Sequence, residues 1–359
     1  MGYISSPMRS RGLLVLDFHN ARIPVERRMI PAIDHYRSLG ILFKRCTMLL
    51  PTKERLKYIQ KFLSEIPCFK LGGCVNPLQC LGFACCGAFL QSLTAGWDEL
   101  ECHRVYNFIS TLTNLPQKVL LLMLEQCVRR FFRKVLLDNW INCKDVTFWL
   151  TQILKPWPLV FQARLLYIIF GPVSTRDGHV LWGKMTQGIA DEKSLKGIAD
   201  AVKLLYETNA KAWTPDDVIS LLDEISVIPN KWLLENSARL LILSGNSICF
   251  TFMASKAVNG RSMDLARIVV FLALVCEKDS YCMDWAVKMM QRVSTVFATP
   301  TERRNFLQNV EIAFARINME MLQLFILGQF FNLLLAIQFC TVKRITHLQD
   351  NYTVKMNFL

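Results

Sequence analysis

The sequence predicts an all-α protein, an irregular helical-repeat, superhelical stack of antiparallel helix pairs. Three observations predict it. Apolar residues recur at intervals of three and four along the 359-residue chain, without sustained period-two alternation. Proline and glycine cut that pattern into helix-length pieces joined by short turns. Pairs of such pieces return roughly every 35–45 residues, the range of helical solenoids, although no signature sequence repeats.

Lys231–Lys278 is the segment on which the rest is organised. Gly245 and Gly260 divide it into three pieces. Trp232, Leu233, Ala238, Leu240, Leu241 and Leu243 leave the first almost without a polar face. In the third, Leu265, Ile268, Val269, Leu272 and Val275–Cys276 recur at helical spacing. Helices apolar nearly all round need cover on most sides, so the whole block is expected to form the inner layer.

In chain order, Met1–Gly12 reads as a basic turn-rich connector, and Leu13–Phe18 as a brief strand or extended piece. Pro31 suits a first helical position and opens a helix lined by Ile33, Tyr36, Leu39, Leu42–Phe43 and Cys46. Thr52 is expected to cap the next, which Pro67 stops. After the glycine-rich Phe69–Val75 turn, Asn76-Pro77 restarts a helix through Leu90, its cysteine, alanine and glycine suited to close approach. Helices follow over Trp97–Leu112, Pro116–Asp138, Val146–Leu154, Leu159–Phe170 and Leu195–Tyr206. Thr214-Pro215-Asp216-Asp217 joins a cap, an N1 proline and carboxylates at the positive helix end. Thr299-Pro300-Thr301-Glu302 supplies a capping box for a helix running at least to Met321. The expected divisions are a connector (1–30), a helical partner-binding body (31–322) and a divergent apolar tail (323–359).

Apolar residues make up 52% and charged ones 20%, which favours a large core over disorder. A net charge of +13 favours acidic partners without choosing among nucleic acid, phosphoprotein and anionic membrane. No secretory leader is read at the start. The thirteen cysteines are therefore expected to be reduced thiols in the nucleus, the cytoplasm or both.

Chemistry-bearing patterns are few. Cys68, Cys74, Cys80, Cys85 and Cys86, with Cys102-His103, form the densest metal-like group. Their gaps are too wide for paired zinc ligands, so buried thiols are the preferred reading. Arg129, Arg130, Arg133 and Lys134 share one helical turn, with Phe131 and Phe132 turned inward. Such a face can grip a phosphate or carboxylate, and these four are the candidate partner-binding residues; a plain solvated face is the alternative. His19, His35, His103, His179 and His347 lie in no metal or nucleophile motif. No catalytic residue, cofactor, metal or small-molecule substrate is expected. Basic pairs lack interleaved aromatics, which leaves nucleic acid the weaker reading. Leu324–Val342 is long enough to span a membrane, yet Gln329, Asn332 and Gln338 face different sides. A membrane partner is expected only through that stretch.

Seven stretches carry a wider likeness: Leu13–Asn20, Asp34–Ile59, Leu93–Phe108, Ile153–Pro172, Trp213–Pro229, Cys249–Arg261 and Val269–Lys278. Over about residues 3–321 the chain resembles the F-box family of ubiquitin-ligase substrate receptors. The resemblance implies a non-catalytic adaptor that presents a protein target, often phosphorylated, for ubiquitin transfer. It also implies docking through an F-box onto the Skp adaptor of a cullin ligase. Met1–Pro7 matches only the trailing edge of an F-box, and Leu324–Leu359 does not match the family. The expectation is that this chain does not bind the Skp adaptor by itself. A basic scaffold for nucleic acid or chromatin, and a tail-anchored membrane protein, are the rival readings.

Overall fold

The computed structural model describes residues 25–64, 82–112, 125–138, 140, 143–208 and 213–326, and every long element among them is helical. Among the described residues, extended pairing is limited to one isolated bridge between Val173 and Val180. The expected all-α class holds. The helices fall into two compact units, α1–α7 and α8–α14.

The first unit comprises α1 (Val25–Thr47), α2 (Thr52–Ser64), α3 (Gly82–Thr94), α4 (Glu99–Leu112) and α5 (Glu125–Phe131), which continues as a π-helical turn over Phe132–Leu137. α6 (Cys143–Leu154) and α7 (Leu159–Phe170) complete it. α1 packs along α3 and α2 on α4, while the π turn lies against α3 and α6. Tyr36, Leu39 and Phe43 of α1 are buried with Phe83, Phe89, Leu90 and Leu93 of α3. Phe43 and Phe89 meet edge to face with ring centres 5.7 Å apart. The small residues of α3 allow the close approach expected of them. A Cβ placed on Gly40 of α1 would lie 2.4 Å from the Phe89 carbonyl oxygen.

Two local expectations fail here. α1 begins at Val25, so Pro31 lies inside the helix rather than at its start. Its ring nitrogen still cannot donate to the carbonyl four residues back. Thr52 is the first residue of α2, but its hydroxyl donates to Glu101 Oε1 of α4 at 2.8 Å instead of capping. Asp98 takes the capping role for α4, accepting the Glu101 N–H at 2.7 Å. The strand or connector over Leu13–Phe18, the Phe69–Val75 turn and the helix start at Pro116 lie outside the described residues.

The second unit comprises α8 (Glu192–Tyr206), α9 (Pro215–Ile225), α10 (Leu234–Ser244), α11 (Asn246–Val258), α12 (Ser262–Lys278), α13 (Met283–Ser294) and α14 (Pro300–Ile326). Helices pack on the next but one. α8, α10, α12 and α14 form one row and α9, α11 and α13 a second, with each helix pair tied across the rows. This is an irregular repeat whose members meet near neighbours. The punctuation read from the sequence sets it up. Gly245 (φ +95°) and Gly260 (φ +70°) occupy left-handed backbone that suits glycine, and they separate α10, α11 and α12. Thr214 and Asp217 form a reciprocal capping box with Pro215 inside it, as do Thr299 and Glu302. One detail departs: α10 and α12 share a row, but α11 belongs to the other, so the block is not a single layer. Its middle piece has one apolar side, on which Ile248, Cys249, Phe252 and Met253 are buried.

Buried polar groups in this unit are paired. Asn236 of α10 is fully buried and donates to the Met185 and Gly188 carbonyls, each at 2.9 Å, while accepting the Ala190 N–H at 2.8 Å. Arg239, one turn on, donates to the Ala190 carbonyl at 2.7 Å and bonds Asp279 through Nε at 2.8 Å and Nη2 at 2.7 Å. Together they fix the segment ahead of α8 and tie α10 to the end of α12. Lys256 of α11 reaches both carboxylate oxygens of Asp223 on α9, at 2.6 and 2.9 Å.

Among the described residues no helix is long and apolar enough to cross a membrane. Of Leu324–Val342, all but the first three residues lie outside the described set.

Candidate partner-binding face

The basic cluster sits where α5 passes into the π turn. Phe131 and Phe132 point inward and are buried, as read from the sequence. Phe131 meets Phe83 of α3 edge to face at 5.8 Å. That anchoring brings Arg129, Arg130, Arg133 and Lys134 to the outer side, although they do not form one uniform grip.

Arg129 is half-buried, and its Nη1 donates to the carbonyls of Ile168 at 2.7 Å and Gly171 at 2.9 Å. These belong to the end of α7, where carbonyls lack helical donors and the dipole is negative. Burial, helped by the neighbouring Arg133 charge and partly offset by Asp138, lowers the Arg129 pKa to about 10. The group stays cationic at neutral pH. Arg129→Ala is therefore expected to cost about 2 kcal/mol, the scale of a lost charge-assisted hydrogen bond at a partly buried site. Thermal unfolding of the two chains measures it, and an unchanged midpoint would mean the α7 end needs no cap.

Arg133 Nε contacts Asp138 Oδ1 at 2.7 Å, and its guanidinium lies over the Phe170 ring at 5.3 Å. Lys134 Nζ contacts the other Asp138 oxygen at 3.1 Å. Arg130 is half-buried. With Arg133 and Lys134 side chains 37% and 48% exposed, a partner can reach both. An incoming anion then competes with Asp138, which already bridges them. Sequence reasoning missed Asp138. Lys134 and Asp138 stand four apart, a visible signal, whereas Arg133 and Asp138 stand five apart and would not face each other on an α-helix. The π turn brings them together: Asp138 N–H bonds the Arg133 carbonyl, five residues back, at 2.6 Å.

Of the metal-like group, Cys85 and Cys86 are buried free thiols on α3. Burial, with Cys85 beside it, raises the Cys86 pKa well above the ordinary thiol range. Cys68, Cys74 and Cys80 lie outside the described residues. His103 shares hydrogen bonds with Gln152 Oε1 at 2.6 Å and Asn107 Nδ2 at 2.9 Å. Among the described residues no group of three or more histidine, cysteine, aspartate or glutamate side chains is placed to hold a metal ion.

The family model described as FBXO47, ARM repeats, matches residues 107–325. Human F-box only protein 47 is 63% identical to the chain over 332 residues, which cover 90% of this chain and 74% of the human protein. The chain belongs to the F-box only protein 47 family. Mouse F-box only protein 47 matches at the same identity over the same shares. No solved structure matches. The ARM-repeat region of the F-box only protein 47 family starts within α4 and runs into α14, so it takes in the basic cluster and the helices of the second unit up to residue 325.

Proposed function

We propose that the chain is the target-recognition part of a Skp–cullin–F-box type ubiquitin ligase, working as a non-catalytic helical scaffold. The observation that carries this is the 63% identity over 332 residues with proteins named F-box only protein 47. The two-row helix packing supports it, because stacked helix pairs offer a long surface for another protein. The partners are a protein target, phosphorylated in one version of the reading, together with the Skp adaptor and cullin that F-box proteins serve. Nucleus and cytoplasm are the proposed compartments. Within the basic cluster, Arg130, Arg133 and Lys134 contact the target, and Arg129 supports them by holding α7.

The test supplies ligase docking independently, by placing the chain behind an F-box of established Skp affinity and expressing the fusion in cells. Ubiquitin-remnant proteomics is expected to show proteins whose modification depends on the chain. A double charge reversal, Arg133→Glu with Lys134→Glu, is expected to reduce that modification at least tenfold while the thermal midpoint stays nearly unchanged. A proteome indifferent to the fused chain overturns the receptor reading. Modification unaffected by the charge reversal removes the cluster from the binding face.

A further inference from the structure

Aromatic and basic residues lie apart in the sequence of the second unit, and α11 and α13 bring some of them onto one face. Trp285 of α13 donates through Nε1 to Asn246 Oδ1, at the start of α11, at 2.5 Å. Two turns further along α13, Arg292 lies over the Phe250 ring of α11, its guanidinium carbon 4.4 Å from the ring centre. Lys288 stands between them, because 285, 288 and 292 follow at three and four along one side of the helix. Both rings are half-buried, while Asn246, Lys288 and Arg292 are exposed. Elsewhere in this unit Arg239, Lys256 and Lys278 reach carboxylates on neighbouring elements. Among the described residues Lys288 and Arg292 take part in no ion pair, and Asp284, one turn before Lys288, stays beyond pairing distance.

This arrangement prepares Arg292 for an anion. The Phe250 ring seats one face of the guanidinium, so less side-chain freedom is lost when its N–H edge meets a carboxylate. We infer that the α11–α13 face binds an extended acidic peptide with carboxylates at alternate positions. Arg292 takes one carboxylate through two N–H donors, and Lys288 takes the next. The spacing agrees: one helical turn sets the two cations about 6 Å apart along α13, and alternate side chains of an extended chain stand about 6.6 Å apart on one side. Trp285, beyond Lys288, offers its half-open ring to the apolar atoms of the same peptide, and tryptophan and arginine are the side chains that most often dominate binding energy. Nucleic acid fits less well. Two cations neutralise few phosphates, and Arg292 covers the Phe250 face on which a base would stack. The face is separate from Arg130, Arg133 and Lys134, and peptide binding there does not depend on ligase assembly.

Fluorescence anisotropy of the full chain with a short fluorescein-labelled peptide of alternating glutamate and serine tests this. Binding is expected to weaken as salt is raised and to vanish when glutamine replaces glutamate in the peptide. Lys288→Glu with Arg292→Glu is expected to weaken it roughly tenfold or more. Lys53→Glu with Lys57→Glu makes the same charge change at the same spacing on exposed positions of α2, and is expected to leave it within about twofold. Phe250→Leu keeps every charge and is expected to weaken binding about threefold, because Arg292 loses its seat. Lys288→Gln, a single exposed change, is expected to weaken it by a similar factor and carries the test should the double reversal fold poorly. A glutamate peptide that does not bind, or that binds the α13 variants as tightly as the parent, overturns the inference. So does tighter binding of a phosphoserine–glutamine peptide or of oligothymidylate.

Discussion

Arg239→Ala is expected to remove about 3–5 kcal/mol of folding free energy, the scale for losing one member of a buried ion pair. Arg239 is only 4% exposed, and its guanidinium serves three elements: Asp279 after α12, Glu235 on α10 at 3.7 Å and the Ala190 carbonyl ahead of α8. Truncation leaves the Asp279 carboxylate and that carbonyl without their donor, and water recovers part of the loss only at the half-buried carboxylate. Arg239→Lys keeps the charge but has no planar fork for two bonds to Asp279, so it recovers only part of the loss. Denaturant unfolding measures all three chains. A variant within 0.5 kcal/mol of the parent, roughly the range of ordinary surface changes, would show that the network is dispensable.

Gly40→Ala is expected to destabilise by about 3 kcal/mol, the upper range for overpacking. The added carbon would meet the Phe89 carbonyl oxygen at 2.4 Å, with Ser92 Cβ at 2.9 Å. The nearer obstacle is backbone, so no rotamer change relieves it, and α1 must move off α3. That movement opens the Phe43–Phe89 contact as well. Alanine favours a helix over glycine by about 1 kcal/mol at an unobstructed site, so propensity alone predicts the opposite sign. A melting midpoint that rises would therefore refute the close-approach argument.

What the sequence disclosed about this fold was local. Thr214 and Thr299 cap their helices through residues three positions on, and Gly245 and Gly260 turn the chain by their own backbone freedom. Such causes lie within a few letters of their effects. The hidden features depend on distance in the chain or on irregular backbone. Asn236 and Arg239 have no partner near them in the sequence, since the groups they bond, at Met185–Ala190 and Asp279, are some 40–50 residues away. The pairing of Asp138 with Lys134 could be read from their spacing, but its pairing with Arg133 could not, because α-helical spacing does not align the two. Within the candidate site, the inward phenylalanines were legible but the α7 carbonyls that hold Arg129 were not, being nearly 40 residues on.

The joint between α10 and α11 is a single residue, Gly245, flanked by Ser244 and Asn246. A connection that short has no slack. Inserting one amino acid there would shift the start of α11 relative to α10 and draw Ile248, Cys249, Phe252 and Met253 out of register with the helices they pack against. Length variation among descendants of this gene should thus collect at roomier connections, and this corner should keep its spacing even where its letters drift.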